Sequence, residues 1–539
     1  AGLYHRGRDG LVSHLRATAD TPSANIRGLS AEPDGTVWAA TRDGLAHVAR
    51  DGSSTELRVL SHVTAGDGLP TSFISDVLRA RDGLLYVATP AGLAVVELDD
   101  KSRRVRTLGI AQGLADSYIN NLAQDRNGNL WLGTYGRGAT KLLLDGFVSY
   151  EEEPADTLQR NACIFESRRG ELLSMITTAE RTILLSRFDG SRFVPIPLNM
   201  PRLYTGWGWH QLALQDSLGE WWVPTGEGLY RFAATDDLAE LSRARPKAIY
   251  HGADWKGATD VFRLFEDSRG DLWLSAGGLV RWERGTGTFH NYTGVDGAGR
   301  GAAGSFAEDR AGNLWISIWT GNLLRHREGR FIELTSADGL PAGAVTIVKV
   351  DSRGRLWVAT DEGGVARSDD PSAEHPVFRT YSLAQGLASN DVRNVIEDRF
   401  GRIYLCTGRG VDRLDPETGR IKHFTTADGL LSNRLELAYA DRRGDLWFAS
   451  HLGFSRLTPR LDPPKPPPPV LISSLRVAGA PRMMPPLGAP NQAGLTLGPA
   501  ERQFEVEFVG LDFSPGEVLQ YQYRLEGADA DWSAPSDRR

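Results

Sequence analysis

The chain has 539 residues, 41% of them hydrophobic, with 60 Gly and 14 Trp. It is too long for one ordinary core and apolar enough for more than one, so two or more domains are expected. A formal net charge of −7 argues against a nucleic-acid binder, which would normally show a basic face, and no run of about eighteen apolar residues marks a membrane span.

Read from the start, a turn followed by an aromatic strand keeps returning. It is first seen as Pro33-Asp34-Gly35-Thr36-Val37-Trp38, then as Arg81-Asp82-Gly83-Leu84-Leu85-Tyr86 and Asp125-Arg126-Asn127-Gly128-Asn129-Leu130-Trp131. A degenerate copy, Ser167-Arg168-Arg169-Gly170-Glu171-Leu172, lacks both the Asp and the Trp. Full copies resume at Asp216, Asp267, Asp309, Asp351, Asp398 and Asp441. That makes about ten copies spaced by roughly 42–51 residues, the length of a four-stranded propeller blade.

One copy shows the physics. Ile347-Val348-Lys349-Val350 is a β-branched run suited to an inner strand. Asp351-Ser352-Arg353-Gly354 is a hairpin turn, in which Asp caps backbone N–H groups and Gly takes positive φ at little cost. Leu356-Trp357-Val358-Ala359-Thr360 is the second strand, Gly363-Gly364-Val365 opens a third, and Phe378-Arg379-Thr380-Tyr381 is a fourth. The large ring is expected to wedge between neighbouring sheets. With no long 3.6-residue period, the class is all-β.

The last copy runs from Phe454-Ser455-Arg456-Leu457-Thr458 into a Pro-rich segment without a fourth strand of its own. A closed ring would borrow that strand, and Gly146-Phe147-Val148-Ser149-Tyr150 stands seven copies back. The reading is a partial first propeller over 1–145, a seven-bladed propeller over 146–460, a stiff linker over 461–469 and a β-sandwich module over 470–539. Both ends read as cuts in a longer protein.

The repeat, Asp-x-x-Gly-x-Leu-Trp followed by a small residue and Thr, resembles the two-component regulator propeller repeat. The tail, with Tyr521-Gln522-Tyr523-Arg524-Leu525-Glu526-Gly527 and Asp531-Trp532, resembles the Tyr-rich immunoglobulin-like module that follows such propellers. The resemblance implies the periplasmic sensor region of a membrane receptor whose output is a histidine kinase, a hybrid kinase–regulator or a diguanylate cyclase. It implies an oligosaccharide or other small ligand, a homodimer, no cofactor, no nucleic acid and a membrane connection outside this chain. The chain departs from that pattern in its missing early blades, incomplete tail and weak fourth copy.

Candidate ligand residues fall where the repeat is broken. Tyr204-Thr205-Gly206-Trp207-Gly208-Trp209-His210 interleaves aromatics with Gly and suits either a sugar platform or a plug between blades. Trp319 and Tyr135 occupy equivalent loops, where packing is the simpler role. Asn322, Arg409, Asn433 and Arg137 are polar loop residues near the expected funnel mouth. Glu227, Asp361 and Glu362 lie on equivalent loops, where acids are commonly just solvated. His451 and His210 would have to converge to serve a streptogramin-lyase-like enzyme, and a glycosidase would need two facing carboxylates. A propeller scaffold for protein partners is the third alternative. Cys163 and Cys406 read as small buried hydrophobes, and the Asp-x-x-Gly turns as structural rather than calcium loops.

Overall fold

The structure is a computed structural model. It describes residues 2–6, 10, 12–15, 25–50, 56–98, 103–110, 114–125, 128–142, 146–151, 163–177, 183–199, 213–295, 298–299, 301–319, 321–462, 468–512, 519, 521–534 and 536. Apart from short helical turns it is all β, built mainly of four-stranded antiparallel sheets, the architecture of a β-propeller. Two compact units divide it: Ala1–Thr107 with Ala115–Leu144 and Leu461–Arg539, and Leu108–Leu114 with Asp145–Arg460.

In the larger unit the described residues form seven four-stranded sheets. Their first strands are Cys163–Glu166, Leu214–Gln215, Leu264–Glu266, Ala303–Glu308, Val345–Val350, Val392–Glu397 and Leu437–Ala440. Each sheet runs first strand to fourth in chain order, except the last. There Val148–Glu151 pairs antiparallel with Gly453–Leu457, from Val148 opposite Arg456 to Glu151 opposite Gly453. The Ser149 hydroxyl also donates to the Gly429 carbonyl at 2.8 Å. The degenerate copy at Ser167 builds the first sheet, with the Ser167 hydroxyl accepting from the Glu171 N–H at 3.1 Å in place of the missing Asp.

The repeat motif works as one hydrogen-bonded knot. Asp351 accepts the Arg353 and Arg355 N–H groups on one carboxylate oxygen. Its other oxygen takes the Trp357 indole N–H at 2.9 Å and the Arg355 Nε at 2.6 Å. The same indole-to-Asp bond recurs at Trp131, Trp222, Trp273, Trp315 and Trp447. The Asp therefore does more than cap a turn, because it also fixes the ring that fills the space between sheets. Trp273, Trp315 and Trp357 are buried, each in a cluster with residues of the next sheet. Gly354 sits at φ +87°, where any Cβ would be strained and would crowd the Arg310 side chain.

The segments that end in the recurring Gly339-Leu340, Gly386-Leu387 and Gly429-Leu430 are 3₁₀ turns. Ser336–Asp338, Leu383–Gln385 and Thr426–Asp428 each carry a capping box and end on a left-handed Gly.

The smaller unit holds the hairpin Tyr4–Arg6 with Val12–His14, two four-stranded sheets and a three-stranded one ending at Ala139–Leu142. Its tail is a three-stranded sheet in which Val470–Val477 pairs with Ala480–Pro481 and Phe504–Gly510. Gln520-Tyr521-Gln522-Tyr523-Arg524-Leu525 alternates as sandwich strands do, yet among the described residues no strand forms over 521–525. Tyr521 makes one isolated bridge to Ser536, and the next residues bond within a turn, the Leu525 N–H to Asp529 at 2.7 Å. Alternation alone does not make a strand when no neighbouring edge is there to pair with. Among the described residues no helix is long and apolar enough to cross a membrane.

Candidate functional site

The larger unit offers two places for a ligand: the turns joining second to third strands, and a cavity lined by the first strands. Most of the candidate residues lie on the turns. Tyr204, Trp207, Trp209 and His210 lie outside the described residues, so the pairing of His210 with His451 has no placement.

Glu227, Trp319, Asn322, Asp361, Arg409 and His451 fall on the second-to-third-strand turns of the second, fourth, fifth, sixth and seventh sheets. The shared sheet topology sets these turns at the same end of every sheet. Trp319 is 57% exposed, and Tyr135 on the equivalent turn of the smaller unit is 76% exposed. Tyr135 nonetheless stacks on Tyr118 with centroids 5.2 Å apart, and the Trp319 ring lies beside Gly304 with its outer face open. Trp319 is held by its backbone, whose N–H donates to the Ala302 carbonyl at 3.1 Å. Glu227, Arg409 and His451 are exposed, and the first two are anchored through backbone N–H bonds to Thr225 and Thr407.

Three of the proposed binders turn out to be occupied. Asn433 accepts the Thr426 N–H at 2.8 Å and so pins the 3₁₀ turn, as Asn390 does for Leu383 at the same distance. The signal was in the sequence: Ser-Asn follows Gly-Leu at the same offset in both copies. Asp361 accepts the Ala344 N–H at 2.7 Å, tying its turn to the segment entering the same sheet. Asn322 donates to Glu333 across its own hairpin. Among the described residues no group of three His, Cys, Asp or Glu side chains makes a metal-ligand set.

The opposite end of the sheets is closed by a device that the sequence reading missed. The last residue of a first strand reaches back to the turn of the preceding sheet. Glu266 accepts the Ser217 N–H and hydroxyl at 2.7 and 2.6 Å. Glu308 does the same for Ser268, and Glu397 for Ser352, at matching distances. Between the last sheet and the first, Glu166 accepts the Arg442 N–H at 3.1 Å and the Tyr439 hydroxyl at 3.2 Å. Burial raises the Glu166 pKa despite these bonds.

The first strands surround a cavity of about 450 Å³. Arg263, Ser305, Lys349, Asn394, Glu397 and Tyr439 line it, with Phe265 and Phe306 stacked at 5.9 Å between centroids. Desolvation lowers the pKa of Arg263 and of Lys349, the second partly offset by the attraction of Glu397. Cys163 and Cys406 are both buried, and burial pushes the Cys163 thiol up to about 12, which suits an inert core residue.

Residues 113–136 match the family model described as the two component regulator propeller. None of the curated proteins matches the chain. Among solved structures, one is named as the extracellular domain of the hybrid two component system BT3049 from B. thetaiotaomicron. It is 19% identical, covers 98% of this chain and 70% of its own, and superposes with a TM-score of 0.66. That likeness shows the fold. The extracellular domain named for BT4673 of the same organism is 17% identical over 97% of this chain and 82% of its own, at a TM-score of 0.34. A virginiamycin B lyase from Staphylococcus aureus is 14% identical over 58% of this chain and all of its own, at 0.42.

Proposed function

We propose that this chain is the extracytoplasmic ligand-sensing region of a membrane-bound bacterial signalling receptor, a hybrid two-component kinase or a related output. The observation that carries the reading is the whole-chain likeness to a domain named as extracellular and as part of a hybrid two component system. The regulator propeller match at 113–136 supports it independently.

On this reading residues 146–460 are a seven-bladed ring, the early sheets belong to a second ring, and the tail sheet is part of an immunoglobulin-like module. The chain lies in the periplasm and works as a homodimer. The ligand, an oligosaccharide or other small molecule, docks on the turn face that carries Trp319, Arg409 and His451. Trp319 suits a stacking platform because it is exposed while its backbone is fixed. The ring does not reshape on binding. It shifts as a body, and the Pro-rich segment passes the shift on to the tail.

A glycan panel titrated by calorimetry, with product analysis of each mixture, tests the reading. The expected result is binding without turnover, weakened at least tenfold by Trp319→Ala. Appearance of cleaved or rearranged product overturns it in favour of an enzyme.

A further inference from the structure

The cavity inside the larger unit carries charge that the protein itself does not balance. Arg263 enters from the third sheet, and its hydrogen bond is a single one, from Nε to the Gly304 carbonyl at 3.1 Å. Among the described residues no carboxylate pairs with it. Lys349 enters from the fifth sheet at a position where the other six sheets carry Phe165, Leu214, Phe265, Ala307, Ile396 and Tyr439. Among the described residues its ammonium group forms neither an ion pair nor a hydrogen bond. Lys349 is exposed to the cavity and Arg263 is half-buried on its wall, so both present their charge where a ligand entering the cavity meets it.

The two acids on the wall do not answer them. Asp351 is spent on Trp357, Arg355 and backbone N–H groups, and Glu397 on Ser352. Glu397 attracts Lys349 through space but does not contact it. A third observation is independent of charge. Asn394, only 3% exposed, lines the same cavity from the sixth sheet with no hydrogen bond to its carboxamide. At the corresponding position of the fourth sheet the Ser305 hydroxyl is fully used, by Ser317 and by the Val348 N–H. Buried amides are ordinarily paired.

We propose that this cavity is an anion-binding site that takes a small organic anion, its charged group on Arg263 or Lys349 and a further polar group on Asn394. A volume of about 450 Å³ has room for a molecule the size of a monosaccharide. The Phe265 and Phe306 rings give its neutral part an apolar wall. The required chemistry is an anionic oxygen cluster, which a carboxylated molecule or free phosphate can supply. The site is independent of the turn face and stands whether or not the chain is a sensor.

The test titrates the intact chain with glucuronate, glucose and inorganic phosphate by calorimetry. Glucuronate is expected to bind and glucose, its uncharged match, to bind at least tenfold more weakly. Phosphate binding as tightly as glucuronate would identify the occupant as a free inorganic anion, whereas weaker phosphate binding identifies an organic one. Arg263→Gln and Lys349→Met should each weaken the anion about tenfold or more, the loss of a charged hydrogen bond, and Lys349→Arg should restore it. If glucose matches glucuronate, if neither anion binds, or if the double variant keeps wild-type affinity, the proposal fails. Should the variants not fold, wild-type protein still decides. Glucuronate affinity must fall several-fold between 50 and 500 mM NaCl, about the change that screening of a partly buried charge brings, and a salt-independent affinity overturns the site.

Discussion

The two ends of each sheet in the larger unit are built on opposite terms. At the Asp-turn end nearly every polar group is committed: carboxylate to indole, backbone to carboxylate, and Glu to the turn of the neighbouring sheet. At the other end Trp319, Arg409 and Glu227 stand exposed on backbones fixed from behind, and His451 is exposed beside them. The repeated end holds the fold together, and the varied end leaves several side chains uncommitted.

Substitutions should separate the two ends by size of effect. Trp357→Ala should cost about 3–5 kcal/mol, since it removes a fully buried ring packed between two sheets. Urea unfolding measures it, and a loss under 1 kcal/mol would break the contrast. Asp351→Ala should cost about 2–3 kcal/mol at neutral pH, because it leaves the buried indole N–H unpaired and takes from Arg355 one of its two carboxylate partners, Glu417 being the other.

The Asp351 effect should also depend on acid. Burial pushes the Asp351 pKa up, but Trp357, the Arg355 N–H and the Arg355 guanidinium outweigh it and hold the group below its usual value. A depressed folded pKa gives stability that is present above the unfolded value, near 4, and lost as pH falls through the folded one. The gap between wild type and Asp351→Ala should therefore close below about pH 4.

Smaller effects follow. Glu397→Gln weakens the clamp on Ser352 and should cost about 1 kcal/mol. His423 runs in the opposite pH direction. Its hydrogen bond to Asp412 at 2.7 Å raises its pKa against the pull of desolvation. Its contribution is complete below about pH 6.5 and fades as pH rises through the higher folded value, a slope that His423→Gln should abolish in thermal melts. Trp319→Ala should change stability by less than about 0.5 kcal/mol, and a larger loss would mean that the turn face is not free.

Sequence reading reached the knotted end because its signal is local. Asp351, Gly354 and Trp357 lie within one turn of chain, so spacing alone announces their contact. The Glu clamp was hidden for the opposite reason: Ser217 and Glu266 are 49 residues apart, and a Glu ending a strand looks merely solvated. Asn433 was misread as a binder because a single loop Asn carries no sign of its acceptor role until Asn390 is set beside it. The cavity was invisible since Arg263, Lys349 and Asn394 come from three sheets, and Lys349 read only as one member of a β-branched run. The tail went the other way. Alternation at 520–525 promised a strand, and the missing ingredient was a partner edge.

The pairing of Val148–Glu151 with Gly453–Leu457 also sets the order of assembly. Six sheets are built from contiguous chain and can zip up as synthesis proceeds. The seventh waits, since its outer strand emerges about three hundred residues before its partner, as the Ser149–Ser455 contact shows. So distant a closure makes that seam the slow step, and the unpaired edge of Gly453–Leu457 the surface most open to capture by a second chain until it shuts.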